Sequence, residues 1–256
     1  GMVREGLDRD EALARVAVLD SRGVVHDGRD VDPYKRAFAQ KATAVAGWSE
    51  EGTNPGLLDT VRGLKATVLI GLSGQGGQFG QDVVEAVLAN TDRPIVFPVS
   101  NPTANTEVLP EDALRWTGGQ ALVAAGSPFD PVVLDGTTYP VGQGNNAFIF
   151  PGLGFGAVMA RASKVTDGMV LAAGYALASF TAAHDPDLVY PPVSEMRSVS
   201  IQVAAAVIDA AVHDGVARDD EIVAMSHEER LAYVERRYWT PKYLPYRLPQ
   251  GEVREG

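Results

Sequence analysis

Thr67-Val-Leu-Ile-Gly-Leu-Ser-Gly-Gln-Gly-Gly77 sets an apolar run of strand length against a glycine-rich turn, and a helical pattern from Phe79 to Asn90 follows. β-Branched residues bounded by glycine read as a buried strand, and apolar spacings of three and four as a helix. The alternation then repeats, with Pro94–Phe97 as strand, Pro110–Trp116 as helix and Ala121–Ala125 as strand. This βαβαβ rhythm predicts an α/β protein with a doubly wound parallel sheet. Upstream, Asp8-Arg-Asp-Glu11 reads as a capped helix start, and Val16-Ala-Val-Leu-Asp20 as a buried strand of the parallel sheet. Residues 27–55 read mostly as loop, and Leu57–Leu64 as a short helix. Downstream, Val132–Pro140 reads as a hairpin turning at Asp135-Gly136.

Helical spacing dominates the remainder. Asn145–Ala162 is apolar and glycine-rich, which predicts a helix buried on most sides. Thr166–Ala182, Val199–His213 and a helix opened by the capping box Ser226-His-Glu-Glu229 follow. The expected organisation is a sheet domain over residues 1–162 with a helical region, 163–256, packed on it. The aromatic tail Tyr238–Tyr246 is expected to pack on a surface.

Composition narrows the function. The net charge is -11, from 22 basic and 33 acidic residues, with no basic stripe, which argues against nucleic acid and against anionic membrane surfaces. No cysteine is present, so thiolate catalysis, disulfides and cysteine-ligated zinc are excluded. The four histidines are scattered, without metal-ligand spacing. No apolar stretch approaches a membrane span and no signal peptide opens the chain, so a cytoplasmic location is expected. Gly1 before Met2 reads as a tag-cleavage remnant, with Met2 the expected native start.

Open α/β sheets bind ligands beyond the carboxyl ends of their strands. Three such ends carry suggestive residues. In the Gly71–Gly80 turn, Ser73 and Gly74 let backbone N–H groups approach a ligand, although a tight turn without a ligand has the same composition. In Ser100-Asn-Pro-Thr103, Pro102 keeps Asn101 out of helical geometry, so its amide can project from the sheet or close an Asx-turn. Gln143-Gly-Asn-Asn146 opens an apolar helix, and one cap explains one asparagine, leaving the other to find a partner. Asp20 ends the first apolar run, where an acid can bind adenosine ribose hydroxyls or simply sit in a turn. An amide donates and accepts at once, which suits a hydroxy acid held beside a nicotinamide ribose.

These motifs, in their order, resemble the C-terminal part of malic enzymes. The likeness runs from about Gly6 to Tyr246 and includes Leu19-Asp-Ser-Arg-Gly-Val24, Val68-Leu-Ile-Gly-Leu-Ser-Gly74, Ser100-Asn-Pro-Thr103, Ala125-Gly-Ser-Pro-Phe129, Gly142-Gln-Gly-Asn-Asn146 and Phe150-Pro-Gly152. It implies a Rossmann-type domain, its first strand and glycine loop missing, with a C-terminal helical region. It also implies hydride transfer from malate to a nicotinamide, then loss of CO₂ to give pyruvate, with Mg²⁺ or Mn²⁺ polarising the carbonyl. By the same resemblance Asn101, Asn145 and Asn146 are expected to bind substrate, and Asp20, Ser73, Gly74 and Asn101 the cofactor. NAD is the expected cofactor because an acid such as Asp20 repels a 2′-phosphate. NADP stays open because Lys35 falls near a lysine of NADP-dependent members.

The family's general acid, general base and three acidic metal ligands lie N-terminal to the matched region. No catalytic or metal-binding residue is therefore assigned, and the chain is expected to be inactive alone. The missing strand should lie beside the one ending at Gly71, so the exposed edges are expected to be closed within the chain, by swapped elements or by pairing in a homo-oligomer. Two other readings stand beside this one: a split enzyme completed by an N-terminal partner chain, and a non-catalytic nucleotide-binding or interaction module.

Overall fold

The computed structural model describes residues 1–49, 52–185, 188–240 and 243. It opens with α1 (Arg9–Ala14), capped by the Asp8 carboxylate, which accepts from the N–H groups of Asp10 and Glu11. A small antiparallel hairpin follows, β1 (Leu19–Asp20) and β2 (Gly23–Val24). Two single-turn helices, α2 (Pro33–Arg36) and α3 (Ala42–Val45), interrupt the expected loop before α4 (Leu57–Leu64).

The main sheet comprises β3 (Val68–Gly71), β4 (Ile95–Pro98), β5 (Leu122–Ala125) and β8 (Gly142–Gln143), parallel and in that order. Helices α5 (Gln81–Leu88) and α6 (Pro110–Trp116) provide the crossovers. The hairpin of β6 (Val132–Leu134) and β7 (Thr137–Tyr139) lies between β5 and β8 in the chain. Its turn places Asp135 and Gly136 at φ 49° and 81°, the doubly left-handed geometry that suits a right-twisted hairpin. One face of the sheet packs Leu69, Val96 and Val123 against Val83, Val84, Val87 and Leu114.

The run 16–20 does not join this sheet. Only Leu19 and Asp20 form a strand, and they pair with Gly23 and Val24 instead. The chain doubles back at Ser21–Arg22, where Asp20 accepts from the Arg22 N–H, and among the described residues no strand bridges from Asp20 to β3. β3 is consequently an edge strand. Val68 and Ile70, on the face away from the core, are 44% and 55% exposed. Among the described residues, the gap is thus not closed.

Beyond β8 the chain enters a separate helical core. A 3₁₀ turn (Asn146–Phe148) leads into α7 (Phe150–Met159), followed by α8 (Asp167–His184), α9 (Met196–His213), α10 (Asp220–Ala224) and α11 (His227–Arg237). The single helix expected from Asn145 is thus a turn and a helix, because Asn145 is extended (φ -128°) and Pro151 favours the first turn of a new helix. α9 is the hub: Val199, Val203, Ala204, Val207, Ile208 and Ala211 are fully buried. α7 lies against it nearly backbone to backbone. A Cβ on Gly156 would meet the Ala204 carbonyl oxygen at 2.6 Å, and one on Gly152 the Ser200 carbonyl at 2.8 Å. The opposite face of α7 is not buried as expected, for Phe150 and Val158 are 61% and 73% exposed. Of the aromatic tail, Tyr238 packs edge-on against Phe155 beneath the Arg197 guanidinium, while Trp239 is exposed. Tyr246 lies outside the described residues.

Candidate active site

A cleft of about 650 Å³ opens at the carboxyl ends of the parallel strands. Leu72, Asn101 and Gly126 reach it from the segments following β3, β4 and β5, and Gly144, Asn145 and Asn146 from that following β8. Its far wall is α8, through Gly174, Leu177 and Ala178, together with Tyr190. The structure therefore brings the three expected asparagines into one cavity. Two-residue β8 brings Asn145 and Asn146 there by pairing Ala124 with Gly142 and Ala125 with Gln143.

The amides are oriented by their own neighbours. Ser127 Oγ donates to Asn101 Oδ1 at 2.7 Å, and the Ala147 N–H donates to Asn145 Oδ1 at 2.9 Å. With both carbonyl oxygens engaged, each amide has its NH₂ group left to offer a ligand. Such a cleft suits a ligand rich in acceptors, such as a carboxylate or a keto oxygen. Ser127, in the loop after β5, thus sets the attitude of Asn101.

The turn carrying Ser73 and Gly74 borders the cleft and is held from beneath. Glu107, fully buried, accepts at Oε1 from the Ser73 N–H (3.0 Å), Ser73 Oγ (2.8 Å) and Ser100 Oγ (2.5 Å). Ser100 Oγ in turn accepts from the Gly74 N–H at 2.9 Å. Burial pushes the Glu107 carboxyl up, but the hydrogen bonds from Ser100 and Ser73 prevail and hold it below the usual carboxylate range. The carboxyl lies directly against Gly71, so a side chain there would collide with it. Nothing in Thr106-Glu-Val-Leu109 marks Glu107 as a buried acid, and sequence reasoning missed it.

Asp20 is not brought to the cleft. Its carboxylate accepts from Arg29 at both oxygens (2.8 and 3.0 Å), from the Arg22 N–H and from Lys35 (3.4 Å). Burial raises its pKa, but Arg29 leads a set of opposing contacts that together hold it at about 2. A group whose folded pKa is depressed stabilises the fold above its unfolded pKa and loses that effect as pH falls. Asp20→Asn is therefore expected to lower stability at neutral pH by on the order of 1–2 kcal/mol. The variant should also lose part of the acid destabilisation between about pH 4 and pH 2, measured by urea unfolding across that range.

Among the described residues, no group of three His, Asp or Glu side chains converges as a metal site requires, and no helix is long and apolar enough to cross a membrane. The residues described do not fit a divalent metal centre. Among the described residues lining the cleft, Tyr190, with its phenol pushed up by burial, is the one titratable side chain.

The family described as malic enzyme, NAD binding domain, matches residues 1–212. The NAD-dependent malic enzyme of Acinetobacter baylyi is 41% identical over 249 residues, covering 96% of this chain and 43% of the relative. That of Shewanella woodyi is 41% identical over 251 residues, with the same coverage. The chain thus spans under half the length of the curated relatives it matches. Among solved structures, the malic enzyme of Entamoeba histolytica superposes with a TM-score of 0.65 at 27% identity, over 86% of this chain and 41% of that one. The malic enzyme from Pyrococcus horikoshii gives 0.64 at 26%, over 87% and 46%. A parallel sheet with its amides gathered at the strand ends, matched at this identity over nearly its whole length, belongs to the malic enzymes, within their NAD-binding domain.

Proposed function

We propose that this chain supplies the nicotinamide- and substrate-facing half of an NAD-dependent malic enzyme, which converts malate to pyruvate and CO₂, and that it does not complete the reaction alone. The observation that carries this reading is the convergence of Asn101, Asn145 and Asn146 on one cleft with two amide NH₂ groups unengaged. Ser73, Gly74 and Asn101 are the cofactor-binding residues on this reading, and Asn101, Asn145 and Asn146 hold the hydroxy acid. When bound, NAD⁺ accepts the hydride. Asn101, after β4, and Asn145, after β8, would fix the carboxylate and the reacting carbon relative to it from two strand ends of the sheet. Glycines at 126 and 144 allow close approach. Any divalent metal would need ligands beyond the described residues.

The relatives' names favour NAD over NADP. Asp20 adds little to that choice, because Arg29 and Lys35 already neutralise its charge. The free edge of β3 favours one elaboration, completion by a further polypeptide that adds a strand there.

Calorimetric titration with NAD⁺ tests the proposal. Binding is expected in the millimolar range, about -4 kcal/mol. Asn101→Ala is expected to weaken it about five- to tenfold, the equivalent of one lost hydrogen bond. Absence of binding, or an affinity indifferent to Asn101→Ala, would overturn the assignment.

A further inference from the structure

We infer that Glu107 is a fixed buried charge that biases this cofactor site toward the oxidised, cationic nicotinamide. The inference rests on the reading of Ser73, Gly74 and Asn101 as cofactor-binding residues. Three observations carry it. Glu107 has no solvent exposure, and among the described residues it is the only carboxylate buried to that degree. Its partners are two hydroxyls and a peptide N–H, with no lysine or arginine, so its charge is delocalised but not neutralised. Its second oxygen, Oε2, has no hydrogen-bond partner among the described residues.

Other sequestered charges behave differently. Buried Arg230 meets Asp209, and half-buried Asp20 meets Arg29. A turn that merely needed fastening could use a neutral acceptor: the amide oxygen of a glutamine would receive the same hydroxyls without the cost of burying a charge. The carboxylate lies one residue behind the cleft wall at two points, because Ser73 follows Leu72 and Ser100 precedes Asn101, both lining residues. Charge held in a low-dielectric wall acts at longer range than charge in water. The nicotinamide ring is cationic in NAD⁺ and neutral in NADH, so a buried anion distinguishes the two where contacts of shape cannot. The consequence is tighter retention of the substrate form of the cofactor and easier release of the reduced one.

The test is a pair of titrations, NAD⁺ and NADH, on the whole 256-residue chain and on Glu107→Gln, followed by NMR chemical shifts into the millimolar range. Glu107→Gln is expected to lose about tenfold in NAD⁺ affinity and less than about twofold in NADH affinity. Glu107→Asp, which keeps the charge but shortens the reach to Ser73 and Ser100, should weaken both nucleotides together and keep their ratio. A purely structural role predicts equal losses for both nucleotides in Glu107→Gln, and that result would sink the inference while leaving the site assignment intact. Failure of either nucleotide to shift any resonance of the unaltered chain would remove the site assignment and the inference with it. Should Glu107→Gln not fold, the unaltered chain decides: NADH held more tightly than NAD⁺ overturns the bias, and the reverse supports it.

Discussion

Supplied with malate, NAD⁺ and Mn²⁺, the purified chain is expected to form no NADH above the rate in buffer. Oxidation of a 2-hydroxy acid requires a group to take the hydroxyl proton as the hydride leaves, and the later enolate requires a proton at carbon. A positioned acid or base contributes roughly 10²–10⁴-fold to such steps. Among the described residues the cleft wall offers amides, glycines and aliphatic side chains, none of which exchanges a proton at neutral pH. Tyr190 lies there too, but burial holds its phenol in the protonated form. It can donate a hydrogen bond and is no base. The measurement is absorbance of NADH under saturating malate, beside the NAD⁺ titration on the same sample. Binding without turnover is the expected pair of results. Turnover would mean that a proton acceptor operates in this chain beyond the cleft described.

Arg230→Met is expected to cost about 3 kcal/mol of stability, seen as a lower urea midpoint with an unchanged slope. Arg230 is almost wholly buried between α9, α10 and α11. Its guanidinium donates to Asp209 at 2.7 Å and to the carbonyls of Ile222 and Val223, each at 3.0 Å. Methionine retains the bulk of the stem and removes every donor. The Val223 carbonyl then loses the guanidinium, the Ile222 carbonyl keeps only the Met225 N–H, and among the described residues Asp209 retains His227. Breaking one side of such a pair costs more than replacing both, because the remaining charge is stranded. Arg230→Met combined with Asp209→Leu should therefore recover part of the loss. No recovery would mean that the two carbonyls, rather than the ion pair, account for the effect.

Local pattern made much of the fold legible. The runs 67–71, 94–97 and 121–125 each lie between turn residues; β3 and β5 appear within theirs, and β4 runs one residue past its expected end, to Pro98. The asparagines were legible because an amide beside proline or glycine in an apolar setting is unusual enough to ask for a ligand. Other features depend on distance in the chain. Val16–Asp20 has the apolar content of a parallel strand, yet a strand is defined by its neighbour, and here the nearest available one is Gly23–Val24. β8 is too short to have a period. Asp20 was readable as an acid at the end of an apolar run, but Arg29 and Lys35 come to it from a polar loop whose course no local rule dictates. Glu107 looks like an ordinary loop acid; only the convergence of two serine-bearing turns makes it an interior one.

The close contact between α7 and α9 has a mechanical consequence. At glycines 152 and 156 the α7 backbone lies directly against Val203, Val207 and the Ser200 and Ala204 carbonyls of α9, so the two helices can neither rotate nor slide past one another without collision. The turn bearing Asn145 and Asn146 is the leading end of that rigid pair, whereas Asn101 is riveted to the sheet through Ser127. Any rocking of the helical body relative to the sheet must therefore appear as a change in the spacing between the two sets of amides. The asparagines act as the jaws of a caliper, and the glycine contact is what keeps one jaw from bending.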